Sequence, residues 1–132
     1  MRHDVAPELR VLVVDDEPLI RWSLSEALED CGFVVRAAPD GRTALGALSD
    51  GSARPDVVLL DYMLPDSNGL SLFERVRELM PPGRVILMTA YGSPQVIDKA
   101  LELGAYQVVM KPFDMTVIAS IIRHASTASP SA

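Results

Sequence analysis

Apolar positions fall along this chain in two alternating rhythms. Short unbroken apolar runs occur at Val11 to Val14, Val34 to Ala37, Val57 to Leu60, Val85 to Met88 and Val108 to Met110. Between them, apolar residues recur at helical spacing. Ile20, Leu24, Ala27, Leu28 and Cys31 sit at offsets of four, seven, eight and eleven, one face of a helix, and Gly32 follows as a stop signal. Leu72, Phe73, Val76 and Leu79 repeat the pattern before Pro81, Pro82 and Gly83, and Ile118, Ile121, Ile122 and Ala125 repeat it near the end. Ser93-Pro94 and Asp114 supply helix starts. The pattern predicts five strands alternating with five helices.

The predicted strands are apolar on both faces, and the connections are long enough for crossover helices. A parallel sheet covered on both sides follows, the doubly wound α/β class. After Ala125 the periodicity stops in a run of Ser, Thr, Ala and Pro. Residues 7–126 are therefore read as one domain, and 127–132 as a flexible tail or the start of a linker. Met1 to Ala6 are expected to be loose.

Composition narrows the function. The chain has 132 residues, 48% of them apolar, enough for one domain with a useful core. Eighteen acidic residues against twelve basic ones give a net charge of −6, which argues against direct binding to nucleic acid. Cys31 is the only cysteine, so no internal disulfide forms, and its place on the apolar helix face reads as a small core residue. No secretory segment opens the chain and no apolar run spans a bilayer, so a cytoplasmic protein with no membrane contact is expected. Trp22 projects about 200° from Ile20, off the core stripe. It either covers helix surface or touches the helix of a partner.

In an open parallel sheet, ligands bind beyond the carboxyl ends of the strands. The polar residues there are Asp15 and Asp16 after the first strand, Asp61 after the third, Thr89 after the fourth and Lys111 after the fifth. Three carboxylates in one crevice carry a charge of about −3, which a proton or a cation must offset. A hard divalent cation together with Lys111 does so, and oxygen ligands without a histidine or thiol cluster favour Mg²⁺. Such a site suits transfer of a phosphoryl group to a carboxylate, where positioning and charge neutralisation dominate. Asp61, central in the inferred sheet, is the candidate nucleophile, and Lys111 and Thr89 can hold phosphoryl oxygens. Each residue has a plainer reading: a capping turn for Asp15 and Asp16, a turn residue for Asp61, a strand-end hydroxyl for Thr89, a solvated lysine for Lys111. Their joint occurrence at successive strand ends argues against that plainer set.

The phrases Val13-Val14-Asp15-Asp16-Glu17-Pro18, Leu60-Asp61-Tyr62-Met63-Leu64-Pro65-Asp66 with Gly69, Met88-Thr89-Ala90 and Met110-Lys111-Pro112-Phe113 resemble the signature set of bacterial response-regulator receiver domains. The resemblance covers residues 8 to 126. It implies a flavodoxin-like sheet of order 2-1-3-4-5 and a cis bond between Lys111 and Pro112. It further implies that Asp61 is phosphorylated, that Asp16, Asp61 and the backbone carbonyl of Met63 ligate Mg²⁺, and that Asp15 supports the ion through water. Ile20-Arg21-Trp22 and Gly104-Ala105-Tyr106 are similar to receivers of the nitrogen-regulation type, which are attached to ATPase and DNA-binding domains. The implied partners are a sensor histidine kinase or phosphotransfer protein and an output domain; a homodimer stays open.

Two other classes compete with a phosphorylatable switch. A Mg²⁺-dependent phosphatase with an aspartyl nucleophile usually shows Asp-x-Asp, and Asp61-Tyr62-Met63 lacks the second carboxylate. A receiver that no longer takes phosphate would have lost site residues, whereas all five are present. Met63 and Tyr91, two residues past Asp61 and Thr89, orient no hydrolytic water, so slow self-dephosphorylation is expected. One departure stands out: the family carries a Tyr or Phe three residues before the lysine, as a switch that follows the threonine inward. Here that position is Val108, which has no ring to swing. Tyr106 lies on the same strand face by period two and is the alternative switch residue.

Overall fold

Among the described residues, the five apolar runs form β1 (Arg10–Val14), β2 (Val34–Ala38), β3 (Val57–Asp61), β4 (Val85–Thr89) and β5 (Gln107–Met110). They pair in parallel in the order β2-β1-β3-β4-β5, as expected for the doubly wound class. Between and after them run α1 (Pro18–Asp30), α2 (Gly41–Ser49), α3 (Ser71–Glu78), α4 (Pro94–Glu102) and α5 (Met115–Thr127). The computed structural model describes residues 9–51, 54–67, 70–80, 84–90 and 92–127.

Alternation along each strand divides the interior into two cores. Val11, Val13, Val57, Leu59, Ile86 and Met88 face α1 and α5, where Leu24, Leu28, Ile118 and Ile122 close over them. Leu12, Val14, Val58, Leu60, Val85 and Leu87 face α2, α3 and α4, against Ala44, Leu48, Phe73, Val76 and Ala100. Central strands β1, β3 and β4 are buried from both sides, which explains their unbroken apolar sequence. The edge strands depart from that expectation. Arg36 and Ala37 of β2, and Gln107 and Met110 of β5, are exposed, because each of these strands has a neighbour on one side only.

The helix starts follow the capping residues. Ser93 Oγ accepts from Val96 N ahead of α4, and Asp114 Oδ1 accepts from Thr116 N at 2.7 Å ahead of α5, both as the sequence predicts. Asp40 caps α2 through Thr43 N, and hydrogen bonds from the Thr43 side chain and from this N–H hold its carboxyl below its ordinary value. Gly32 ends α1 in the left-handed region, at φ 94°, where a side chain would be strained.

One expectation is corrected here. Cys31 is exposed rather than part of the core, because it occupies the C-cap of α1, where the chain leaves the helix before the apolar face closes over it. Helix α5 runs to Thr127, and the hydroxyls of Ser126 and Thr127 donate back to carbonyls of its last turn. Residues 1–8, which include the start expected to be loose at Met1 to Ala6, and residues 128–132 of the expected tail lie outside the described residues.

Candidate functional site

The carboxyl ends of β1, β3, β4 and β5 lie side by side, so the polar residues that end these strands converge. Asp61 is the last residue of β3 and pairs in register with Met88; Thr89 is the last of β4 and pairs with Met110. Asp15 continues β1, its N–H bonded to Ala38 O, and Lys111 continues β5, its N–H bonded to Thr89 O. All four side chains are thus placed by sheet hydrogen bonds rather than by free loops.

Lys111 Nζ lies 2.8 Å from Asp15 Oδ2, 3.2 Å from Asp61 Oδ2 and 3.8 Å from Glu17 Oε1. Asp15, Asp61 and Thr89 are buried, and Asp16 is exposed at the mouth. Carboxylate oxygens of Asp15, Asp16 and Asp61 all come within 4.8 Å of one another. Burial and the charge of Asp15 push Asp61 up to about 6, against the opposing pull of Lys111 and the Met63 N–H. Burial works against the Lys111 ammonium, but the hydrogen bond to Asp15 and the two carboxylate charges outweigh it and raise its pKa. An all-oxygen cluster of negative charge, with one member's pKa raised by burial and by its acidic neighbour, fits a hard divalent ion such as Mg²⁺.

The loops are fixed close to the carboxylates. Glu17 N bonds to Asp15 Oδ1 at 2.9 Å, and Met63 N bonds to Asp61 Oδ1 at 3.2 Å. Arg21 reaches back from α1 to the Asp15 carbonyl at 2.8 Å and so ties the first turn of α1 to the end of β1. Sequence reasoning treated Arg21 only as part of a similarity and gave Glu17 no role. Their signal was positional: Glu17 directly follows the Asp-Asp pair, and Arg21 stands in the first turn of the helix after it. The Lys111-Pro112 bond is cis, as the resemblance implied.

A model of the response regulator receiver domain matches residues 11–123. The chain belongs to the response regulator receiver domain family. The receiver is 40% identical over 116 residues to the regulatory protein AtoC of Escherichia coli, a match covering 88% of the receiver and 25% of AtoC. It is 35% identical over 115 residues to the DNA-binding transcriptional regulator NtrC of Azospirillum brasilense, covering 87% and 24%. The nitrogen-regulation likeness thus holds, and the chain spans about a quarter of these relatives' length. It is also 36% identical to the sporulation initiation phosphotransferase F of Bacillus subtilis, covering 86% of the receiver and 90% of that relative. Among solved structures, the CheY-like receiver domain protein of Methanospirillum hungatei superposes with a TM-score of 0.83 at 29% identity, covering 91% and 94%.

The two switch candidates do not share a face. Tyr106 lies in a bend just before β5 and packs, half-buried, against the α1 and α5 core, while Val108 packs against the opposite one. The bend breaks the period-two alternation on which the equivalence of Tyr106 and Val108 rested. Met110, by contrast, is on Thr89's side of the sheet: its Sδ, Thr89 Cγ2 and Ile97 Cδ1 all crowd the spot where a Cβ on Gly92 would sit. Tyr91, paired with Met63 in the expectation of slow dephosphorylation, and Gly69 of the signature lie outside the described residues. Trp22 is 62% exposed, off the core stripe as predicted. No helix among the described residues is long and apolar enough to cross a membrane.

Proposed function

We propose that Asp61 is the phosphoacceptor of this receiver and that Asp16, Asp61 and the Met63 carbonyl hold Mg²⁺, with Asp15 supporting the ion through water. The observation that carries this reading is the buried Asp61 carboxylate at the end of the central strand, flanked by Lys111 and two further aspartates. A carboxylate oxygen of Asp61 forms the bond to phosphorus as the phosphorus–nitrogen bond of a donor phosphohistidine breaks and the imidazole leaves. Lys111, already between Asp15 and Asp61, takes up the phosphoryl oxygens, and the Thr89 hydroxyl binds another of them. Bound Mg²⁺ supplies charge neutralisation on the phosphoryl oxygens. The chain's groups catalyse its own phosphorylation in this way.

The donor we propose is a sensor histidine kinase or phosphotransfer protein, in the cytoplasm. The output domain we propose is of the ATPase and DNA-binding kind; the match to a quarter of NtrC, a DNA-binding transcriptional regulator, supports its DNA-binding part. Incubation with acetyl phosphate, with and without Mg²⁺, tests the core of this reading by intact mass. One phosphoryl group should be gained only with Mg²⁺; no gain, or gain independent of metal, counts against it. Asp16→Ala should lower Mg²⁺ affinity by about 10-fold or more and slow phosphorylation, with the rate recovering at high Mg²⁺. A variant that binds Mg²⁺ as wild type does would remove Asp16 from the ligand set.

With Val108 in place of the aromatic, Thr89 moves toward the phosphoryl group and the segment from Ala90 to Leu103, including α4, carries the conformational change. Phosphorylated and unphosphorylated protein should differ in amide exchange there, and Tyr106→Ala should leave that difference nearly intact. Loss of the difference in Tyr106→Ala would make Tyr106 the switch.

A further inference from the structure

Helix α2 begins with three N–H groups that have no partner within the helix. Asp40, immediately before it, takes one: Thr43 N donates to its carboxylate at 2.8 Å. The other two are taken from across the molecule. Gly41 N donates to Asp66 Oδ1 at 2.9 Å and Arg42 N to Asp66 Oδ2 at 3.0 Å, so both oxygens of one carboxylate, on the loop after β3, engage the positive end of α2. The sequence at α2 suits this approach. A Cβ on Gly41 would stand 2.8 Å from Leu72 Cδ2 and 3.2 Å from Asp66 Oδ1, so any side chain there would make Leu72 shift and press on the Asp66 carboxylate.

That loop also carries Met63, whose carbonyl the proposed metal site uses. The Met63 side chain is 60% exposed and anchors nothing, so its peptide must be positioned by its neighbours. On one side Met63 N is held by Asp61 Oδ1. On the other, Leu64 is buried in the core and begins a turn closed by a long Ser67 N to Leu64 O bond of 3.3 Å. Asp66 sits inside this turn, and its two charge-assisted bonds tie the loop to the start of α2.

We propose that Asp66 is a positioning residue of the metal site: by docking the β3–α3 loop on the start of α2, it fixes the backbone that presents the Met63 carbonyl. The inference rests on the reading of Asp61, Asp16 and Met63 given above. Asp66 touches neither metal nor phosphoryl group. It acts through three intervening peptides, as residues around metal ligands do when they set ligand orientation.

Calorimetric Mg²⁺ titration of the whole chain, alongside thermal unfolding, tests this. Asp66→Ala should weaken Mg²⁺ binding about 10-fold or more. Asp66→Asn, which keeps one acceptor oxygen, should fall between. Gly41→Ala, which crowds Leu72 and the Asp66 carboxylate without changing charge, should weaken Mg²⁺ in the same direction. Asp40→Ala removes a cap from the same helix without touching the loop, and should leave Mg²⁺ affinity unchanged. With acetyl phosphate, Asp66→Ala should need more Mg²⁺ for half-maximal rate yet reach the wild-type rate at saturation. Equal Mg²⁺ affinity in Asp66→Ala and wild type overturns the proposal, as does an equal loss in Asp40→Ala, which would trace the effect to helix stability. Should Asp66→Ala fail to fold, Asp66→Asn and Gly41→Ala decide by the same comparison. A wild-type protein that binds no Mg²⁺ fails the underlying metal site instead, and the inference falls with it.

Discussion

Asp61→Asn should abolish phosphoryl uptake from acetyl phosphate and yet make the metal-free protein more stable than wild type. The amide cannot form an acyl phosphate, which accounts for the first effect. The second follows from the raised pKa of Asp61, about 6 against an ordinary 3.8. The folded state therefore binds this proton more tightly than the unfolded chain does. The associated stability is fully present below about pH 4 and is lost as pH rises to about 6, leaving ionised Asp61 a burden at neutral pH. Asparagine removes that burden, with an expected gain of about 1–3 kcal/mol near pH 7 in chelator. Thermal unfolding across pH checks it: the variant's advantage should shrink toward pH 4 and shrink again when Mg²⁺ is added to wild type. An advantage that stays constant with pH, or a less stable variant at pH 7, would show that Asp61 is not strained by its surroundings.

Removing the lysine should do the opposite. Lys111 is the one cation within 4 Å of Asp15 and Asp61 among the described residues, and its side chain is 12% exposed. Lys111→Ala leaves two buried carboxylates facing each other, and breaking such a pair from one side costs about 3–5 kcal/mol. Mg²⁺ should return much of that loss, since its charge falls on the same oxygens. With Mg²⁺ present the variant should still accept a phosphoryl group at Asp61, but without the change in amide exchange between Ala90 and Leu103. Denaturant unfolding with and without Mg²⁺ measures the first part. A variant as stable as wild type in chelator, or one that keeps the full exchange change once phosphorylated, would contradict the role given to Lys111.

The fold was legible because strand and helix periods are cleanly separated in the sequence, and because the turn residues Gly32, Ser93 and Asp114 stand where the periods change. The convergence of Asp15, Asp61, Thr89 and Lys111 was legible for the same reason: a polar residue directly after an apolar run marks a strand end. What the pattern could not carry depends on local backbone direction. Cys31 fits a helical stripe by spacing but sits where the helix has already ended. Tyr106 fits a strand alternation but precedes the strand by one bent residue. The tether from Asp66 to Gly41 and Arg42 joins positions 24 and 25 residues apart, a contact no periodicity encodes.

The division of the interior into two cores has a consequence at the strand ends. Asp15, Asp61 and Lys111 continue the series of residues that face α1 and α5, whereas Thr89 continues the series that faces α4, beside Met110 and Ile97. On the proposed reading, a phosphoryl group on Asp61 therefore meets Lys111 from the series on one face of the sheet and the Thr89 hydroxyl from the series on the other, and so touches both cores at once.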